Sequence, residues 1–377
     1  MPLPLTVAAF TANFDRFAIT PILVIVAAAM RTGLSSVVTL ASGYTLAYGL
    51  SQPAWGILSD RIGRIPAIRA ALTLAILAAV ASAAAADLTA LVALRFVAGF
   101  AFGGIVPTAL SFVGDTVAPE TRQAALADLM AALALGSAIA VLAAGVLGSW
   151  LTWRLVFAVP AVPAMAAVIG LHRTPEPQRR SAGRVLDQLG TVLREKYTYV
   201  VVALGTGEGA VLLGGITFVA PALEHRGLAA AIAGAITAGY GLMTLVASQA
   251  VKILATRAPA HALAAIGGAF VTIGYAMAAV SPGVGTYAAL AGLLGAGWAF
   301  LHSTMQTWAT SAVPQARGTA VSCYVAALFV GASFGAWLGG VPAEHARFGM
   351  VFGCAAMATV PLCVTIVAAR SRFAPAG

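Results

Sequence analysis

Charge is what this chain has least of. Only 9% of its 377 residues are Asp, Glu, Lys or Arg, while 60% are apolar; a soluble domain carries roughly a quarter charged residues. Side chains this apolar cannot all be hidden in one water-facing core, so lipid is expected to solvate much of the surface. Cysteine is scarce as well. Cys323, Cys354 and Cys363 lie inside apolar runs at no metal-ligand spacing, and read as small buried hydrophobes. The sequence also lacks a nucleotide-binding loop, a metal-ligand cluster and a nucleophile–base pair, so neither cofactor, metal nor catalytic residue is expected and an enzyme is the least favoured class. The +9 net charge does not point to nucleic acid, because the basic residues sit in short gaps between apolar runs and form no stripe. No basic region precedes the first apolar run, which argues for a retained first span and against a cleaved signal.

What is present is a series of long apolar segments. About twenty residues cross a bilayer as a helix, and runs of that length fall near 5–30, 36–58, 67–86, 88–113, 123–148 and 154–171, then near 198–222, 229–251, 262–280, 286–311, 318–341 and 348–369. Twelve spans put both ends of the chain on one side. With that side cytoplasmic, fifteen Lys and Arg residues lie inside and only Arg31, Arg154, Arg226 and Arg347 outside. This is a strong positive-inside bias, and it predicts a multi-pass protein of the inner (plasma) membrane with both termini cytoplasmic. Residues 1–171 form an expected first six-helix half, 172–197 a solvated linker and 198–377 a second half. Within the linker, Val185 to Lys196 reads as an interfacial amphipathic helix.

The halves echo each other at an offset near 196 residues. Gly43-Tyr44 recurs as Gly239-Tyr240, Ser51-Gln52 as Ser248-Gln249, and Val117 to Arg122 as Ala312 to Arg317. Three matches in order at one offset argue for a duplicated six-helix unit.

Between the second and third spans the chain reads Gly56-Ile57-Leu58-Ser59-Asp60-Arg61-Ile62-Gly63-Arg64. Physically this is a tight turn, in which Gly63 permits unusual backbone angles and the arginines hold the loop at an anionic leaflet. The pattern resembles the loop signature of the major facilitator superfamily. Arg95, Gly99 and Gly103 match a second family pattern in the fourth span, and Trp153 to Phe157 resembles the family's opening of the sixth. The proline of the drug-antiporter pattern is missing from Ala144 to Ser149. The resemblance implies an all-α major facilitator fold, alternating access, and a conformational latch built from Gly56, Asp60, Arg61, Gly63, Arg64, Arg122 and Arg317. Asp60 would pair with an arginine or cap a helix of the other half.

Ionisable groups within a span are costly unless paired or wet, so they are functional candidates. Asp15 lies ten residues into the first span, about 15 Å deep at 1.5 Å per residue. The resemblance places the first and fourth spans beside a central cavity. An Asp15–Arg95 couple is therefore expected, in which substrate or a proton competes for the carboxylate; a permanent ion pair is the alternative. Arg16 adjoins it. Glu208, at similar depth in the seventh span and with no obvious cation nearby, is expected to hold its proton at neutral pH. Asp128 stands nearer the cytoplasm as a further candidate, and Asp115 reads as structural. Asn13, Phe17, Tyr44, Tyr48, Gln52, Tyr240, Trp298, His302 and Gln306 are expected to line the cavity.

The leading expectation is a monomeric, proton-coupled exporter of small amphipathic or cationic molecules, with protons, substrate and lipid as its partners. An importer of an anionic metabolite using Arg16 and Arg95 is the first alternative, and a non-transporting receptor the second.

Overall fold

The computed structural model describes residues 1–176 and 185–373, and among them every regular element is helical. Arg179, Arg180 and Arg184 of the expected linker lie outside the described residues. The twelve long helices among the described residues are α1 (Leu3–Met30), α2 (Leu34–Ile62), α3 (Arg64–Ala84), α4 (Leu88–Thr116), α5 (Pro119–Trp150), α6 (Trp153–Leu171), α7 (Lys196–His225), α8 (Ala230–Leu254), α9 (Ala260–Val280), α10 (Val284–Ala312), α11 (Arg317–Glu344) and α12 (Phe348–Ser371). Eleven are long and apolar enough to cross a membrane. The other is α2, which has the length at 29 residues but buries Ser42, Tyr44, Tyr48, Ser51, Gln52 and Ser59. Its polarity faces protein, not lipid. This is the build of a multi-pass membrane protein. Of the three cysteines, Cys354 is exposed and so departs from the expected burial.

The repeat is visible in the packing. A Cβ at Gly99 of α4 would strike the Tyr44 carbonyl of α2, and a Cβ at Gly295 of α10 would strike the Tyr240 carbonyl of α8. Gly136 of α5 meets the Phe10 carbonyl of α1 as Gly331 of α11 meets the Thr206 carbonyl of α7. Each pair sits at equivalent places in the two halves. Glycine is required there because the neighbouring backbone occupies the space of any side chain.

Several helices are broken where they approach the middle of the bundle. Pro21 lies in a 3₁₀ turn, Thr20–Ile22, within α1, as expected where a proline removes a helical N–H. In the second half the irregularities are of another kind. Ala210–Gly214 of α7 and Trp298–His302 of α10 are π-helical turns, a geometry concentrated at functional sites. The Tyr275 hydroxyl donates a hydrogen bond to the Val211 carbonyl inside the first of them.

Met1, the connection between the halves and Phe373 lie at one face, the terminus side; the opposite face is the far side. At the far side the halves touch: the Ser35 hydroxyl of α2 donates to the Glu344 carboxylate of α11, and Gly145 of α5 lies against the Ala230–Ala231 backbone of α8. Nearer the middle the halves still meet, where Gly49 of α2 lies against Phe329 of α11.

The signature loop closes the terminus side of the first half only. Gly63 has φ 107°, a conformation that favours glycine. Asp60 is paired with Arg64, one turn on, and Arg64 Nε donates to Asp115 Oδ2 at 3.1 Å. Glu176 caps α3, accepting from the backbone N–H of Arg64 at 2.6 Å and of Ile65 at 2.8 Å. Arg122 donates to the Gly114 and Val117 carbonyls at 3.1 and 3.2 Å, while Arg61 and Arg317 are exposed. The cap on the other half considered for Asp60 is not formed, because Arg64 reaches it first. A connecting helix, Val185–Arg194, docks on the second half, with Val192 buried among Val313, Ala316 and Ala320.

Candidate functional site

Among the described residues, two clusters of ionisable side chains are buried in the bundle, one in each half. In the first half, Asp15 of α1 and Arg95 of α4 face each other. Arg95 Nη1 donates to Asp15 Oδ1 at 3.1 Å and Nη2 to Oδ2 at 2.5 Å, the two-pronged geometry that best fits guanidinium to carboxylate. Both side chains are sealed, at 0% and 1% exposure. The Tyr44 and Phe157 rings lie against the guanidinium, each with its centroid 4.8 Å away. Neither side chain is reached from the surface as the couple stands. Competition by cargo for the Asp15 carboxylate requires the pair first to open.

The second-half cluster is assembled from three helices. His302 Nδ1, on α10, lies 3.0 Å from Glu208 Oε1, on α7. The Tyr324 hydroxyl, on α11, donates to Glu208 Oε2 at 2.7 Å and lies 2.9 Å from the same His302 nitrogen. Glu208 is wholly buried, whereas His302 keeps 14% of its side chain exposed. The expectation of an unpaired Glu208 is corrected here. Its partner is an imidazole from a helix 94 positions away in sequence, so a proton has two alternative homes on one hydrogen bond. Both π turns adjoin the cluster: one begins two residues after Glu208 and the other ends on His302. The wider turn changes the direction of the side chains it carries, and His302 closes the second of them.

An aromatic series leads from this cluster to a central cavity. The His302 ring stacks on Trp298 with centroids 3.9 Å apart, and Trp298 meets Tyr240 edge-on at 6.4 Å. Tyr240 lines the cavity together with Arg16, Phe17, Leu213, Ile216 and residues of α2, α5 and α11. Neither Asp15 nor Glu208 lines it. The expected wetting of these two acids is therefore not met in this conformation, and the ionisable group that does reach the cavity is Arg16. Its guanidinium lies against the rings of Phe329 at 4.5 Å, Phe17 at 4.8 Å and Tyr48 at 5.6 Å.

Other expected lining residues are placed elsewhere. Asn13 donates to the Leu133 carbonyl of α5 at 2.7 Å and knits α1 to α5. Tyr44 packs on Arg95, Tyr48 on Phe329 and Arg16. Gln52 is buried in α2, and Gln306 is exposed near the terminus side of α10. Trp298 and His302 stand one layer behind Tyr240. Asp128 is on the surface, its side chain 64% exposed and 3.9 Å from the N-terminal amine, because it falls on the outer face of α5. Sequence reasoning missed Tyr324, Phe329 and Tyr275. Each makes its contact across more than fifty positions, and no local spacing announces such a pair.

Residues 5–336 match the sequence model of the Major Facilitator Superfamily. A triacylglyceride transporter of Mycolicibacterium hassiacum is 34% identical over 155 residues, 39% of this chain and 29% of that protein. The MFS-type transporter YfhI of Bacillus subtilis is 25% identical over 241 residues, 63% of this chain and 60% of its own length. The chain thus spans less than two thirds of these curated relatives. Among solved structures, a bacterial homologue of the human lysosomal transporter Spinster, inward-facing and unoccupied, superposes with a TM-score of 0.81 at 17% identity, over 99% of this chain and 98% of that one. Paired six-helix halves, the Asp60–Arg64 loop and a match over most of its length mean that this chain belongs to the Major Facilitator Superfamily.

Proposed function

We propose that the protein is a proton-coupled secondary transporter that exports small amphipathic compounds by alternating access, as a monomer in the inner membrane with both termini cytoplasmic. The observation that carries this reading is the Glu208–His302–Tyr324 cluster. A carboxyl and an imidazole sharing one hydrogen bond can load or release a proton with little movement, and Tyr324 steadies the carboxyl in either state. The partly exposed imidazole gives protons their way in. Rocking of the halves about the central cavity would expose it to each side in turn, with the Asp60–Arg64–Asp115 loop bracing the terminus side of the first half.

Export is the direction adopted from the likeness, 28% identity over 153 residues, to the efflux pump dotC of Dothistroma septosporum. An apolar lining suits amphipathic cargo, and the likeness to a triacylglyceride transporter points the same way. Cationic cargo loses its support, since Asp15 and Glu208 are withdrawn from the cavity. Arg16 in the lining favours the second reading, uptake of an anion.

A thermal-shift screen of the purified protein across pH identifies a stabilising compound. That compound is then given to proteoliposomes holding a pH dye. Export coupled to protons predicts that protons leave the lumen as the compound enters, so lumenal pH rises in wild type and stays still in Glu208→Gln. A fall in lumenal pH as the compound enters supports uptake instead, and flux without any pH change contradicts proton coupling.

A further inference from the structure

Arg16 is the one charged residue among those lining the central cavity, and among the described residues it has no carboxylate partner. The neighbouring acid is spent: Asp15 gives both its oxygens to Arg95. Arg16 therefore brings an uncompensated positive charge into a site surrounded by lipid-embedded helices, an arrangement that is costly unless something offsets it. Aromatic rings from both halves lie over this guanidinium, Phe17 and Tyr48 from the first and Phe329 from the second. Rings pack on the face of a guanidinium, while its N–H donors lie in the plane and remain available for a two-oxygen acceptor.

The rest of the lining narrows the ligand further. Thr45, Ser137, Thr217 and Thr237 each donate their hydroxyl to a carbonyl of their own helix, at 2.7, 2.9, 3.2 and 2.8 Å. Their hydrogens are already used, so they present lone pairs and methyl or methylene groups. A sugar or nucleoside needs many donors and acceptors to replace its water and finds few here. A cation meets Arg16. A dianion would leave one charge unmatched.

We infer that the transported ligand is an amphipathic monoanion of the organic carboxylate class, with its charged group on the Arg16 guanidinium and its apolar body against Phe17, Tyr240, Leu213 and Ile216. This rests on the transport reading for its biological meaning, but its test does not depend on proton coupling. Arg16 thereby selects charge, and the shape of the apolar wall selects the body.

The test is equilibrium binding to the purified full-length protein in nanodiscs, at fixed pH and without any gradient. The probes are octanoate and phenylbutyrate, the uncharged amide of each, the corresponding amines, and xylose. The acids are expected to bind at least about tenfold more tightly than their amides, the loss that follows from removing a charge-assisted hydrogen bond, and the amines and xylose to bind least. Arg16→Gln should abolish the preference for acid over amide, while Arg16→Lys, checked for monodispersity, should keep the preference with weaker binding. Amines binding as well as acids, neither acid binding to wild type, or an unchanged preference in Arg16→Gln would each overturn the inference. Wild-type selectivity alone decides the matter should the variants fail to fold. A failure of Glu208→Gln to alter pH coupling in vesicles leaves this result untouched, so the two readings fail separately.

Discussion

The two buried charge clusters differ in kind. Asp15 and Arg95 pair through two parallel hydrogen bonds, both side chains sealed and Arg95 Nε left without a partner. Glu208, His302 and Tyr324 crowd three polar groups around one shared position, and one of them keeps partial exposure. Protonating Asp15 would break its pair with Arg95, whereas in a carboxyl–imidazole contact one proton can sit on either partner. The two halves thus differ in what they bury: the first holds a two-pronged ion pair and leaves Arg16 facing the cavity, and the second holds a carboxyl, an imidazole and a hydroxyl in mutual contact.

If the division is real, breaking the first-half pair should do the most damage. Arg95→Leu leaves the Asp15 carboxylate alone among apolar side chains, and is expected to cost about 3–5 kcal/mol of stability. Thermal unfolding in detergent should show a large loss for Arg95→Leu and substantial recovery in the double variant Asp15→Leu/Arg95→Leu. Glu208→Gln comes next and acts differently. The amide keeps the size and hydrogen bonding of the side chain, so the fold should persist while pH-driven flux in proteoliposomes falls on the order of a hundredfold, the scale of losing a placed proton-transfer group. Tyr324→Phe should be milder, removing one hydrogen bond worth about 1 kcal/mol and slowing flux severalfold without abolishing coupling. Asp128→Asn is the control. On an exposed face, its change in stability should stay within about 0.5 kcal/mol, with flux unaltered.

The same contrast explains what could be read in the residues beforehand. The spans were legible because twenty-residue apolar runs have a physical length requirement, and even α2, the most polar, was marked by its neighbours and its loop. The Asp15–Arg95 contact was legible because two opposite charges stranded in apolar runs have few ways to be satisfied. Glu208 stood out for the same reason, but its partners did not. A histidine and a tyrosine are unremarkable in a span until folding brings them within 3 Å of an acid. The cavity lining was least legible. Which face of a helix meets a hollow depends on crossing geometry and on breaks such as the π turns, and neither leaves a residue pattern. Arg16 and Asp15 are adjacent in sequence, yet only Arg16 lines the cavity.

The claim that the second-half cluster carries the exchangeable proton is tested most directly by infrared difference spectroscopy of the carboxyl carbonyl stretch during a pH titration in lipid. The account predicts a titrating carboxyl band in wild type that vanishes in Glu208→Gln and persists in Asp128→Asn, with no band lost when Asp15 is replaced together with Arg95. A titrating band that survives Glu208→Gln and disappears with Asp15 would contradict it.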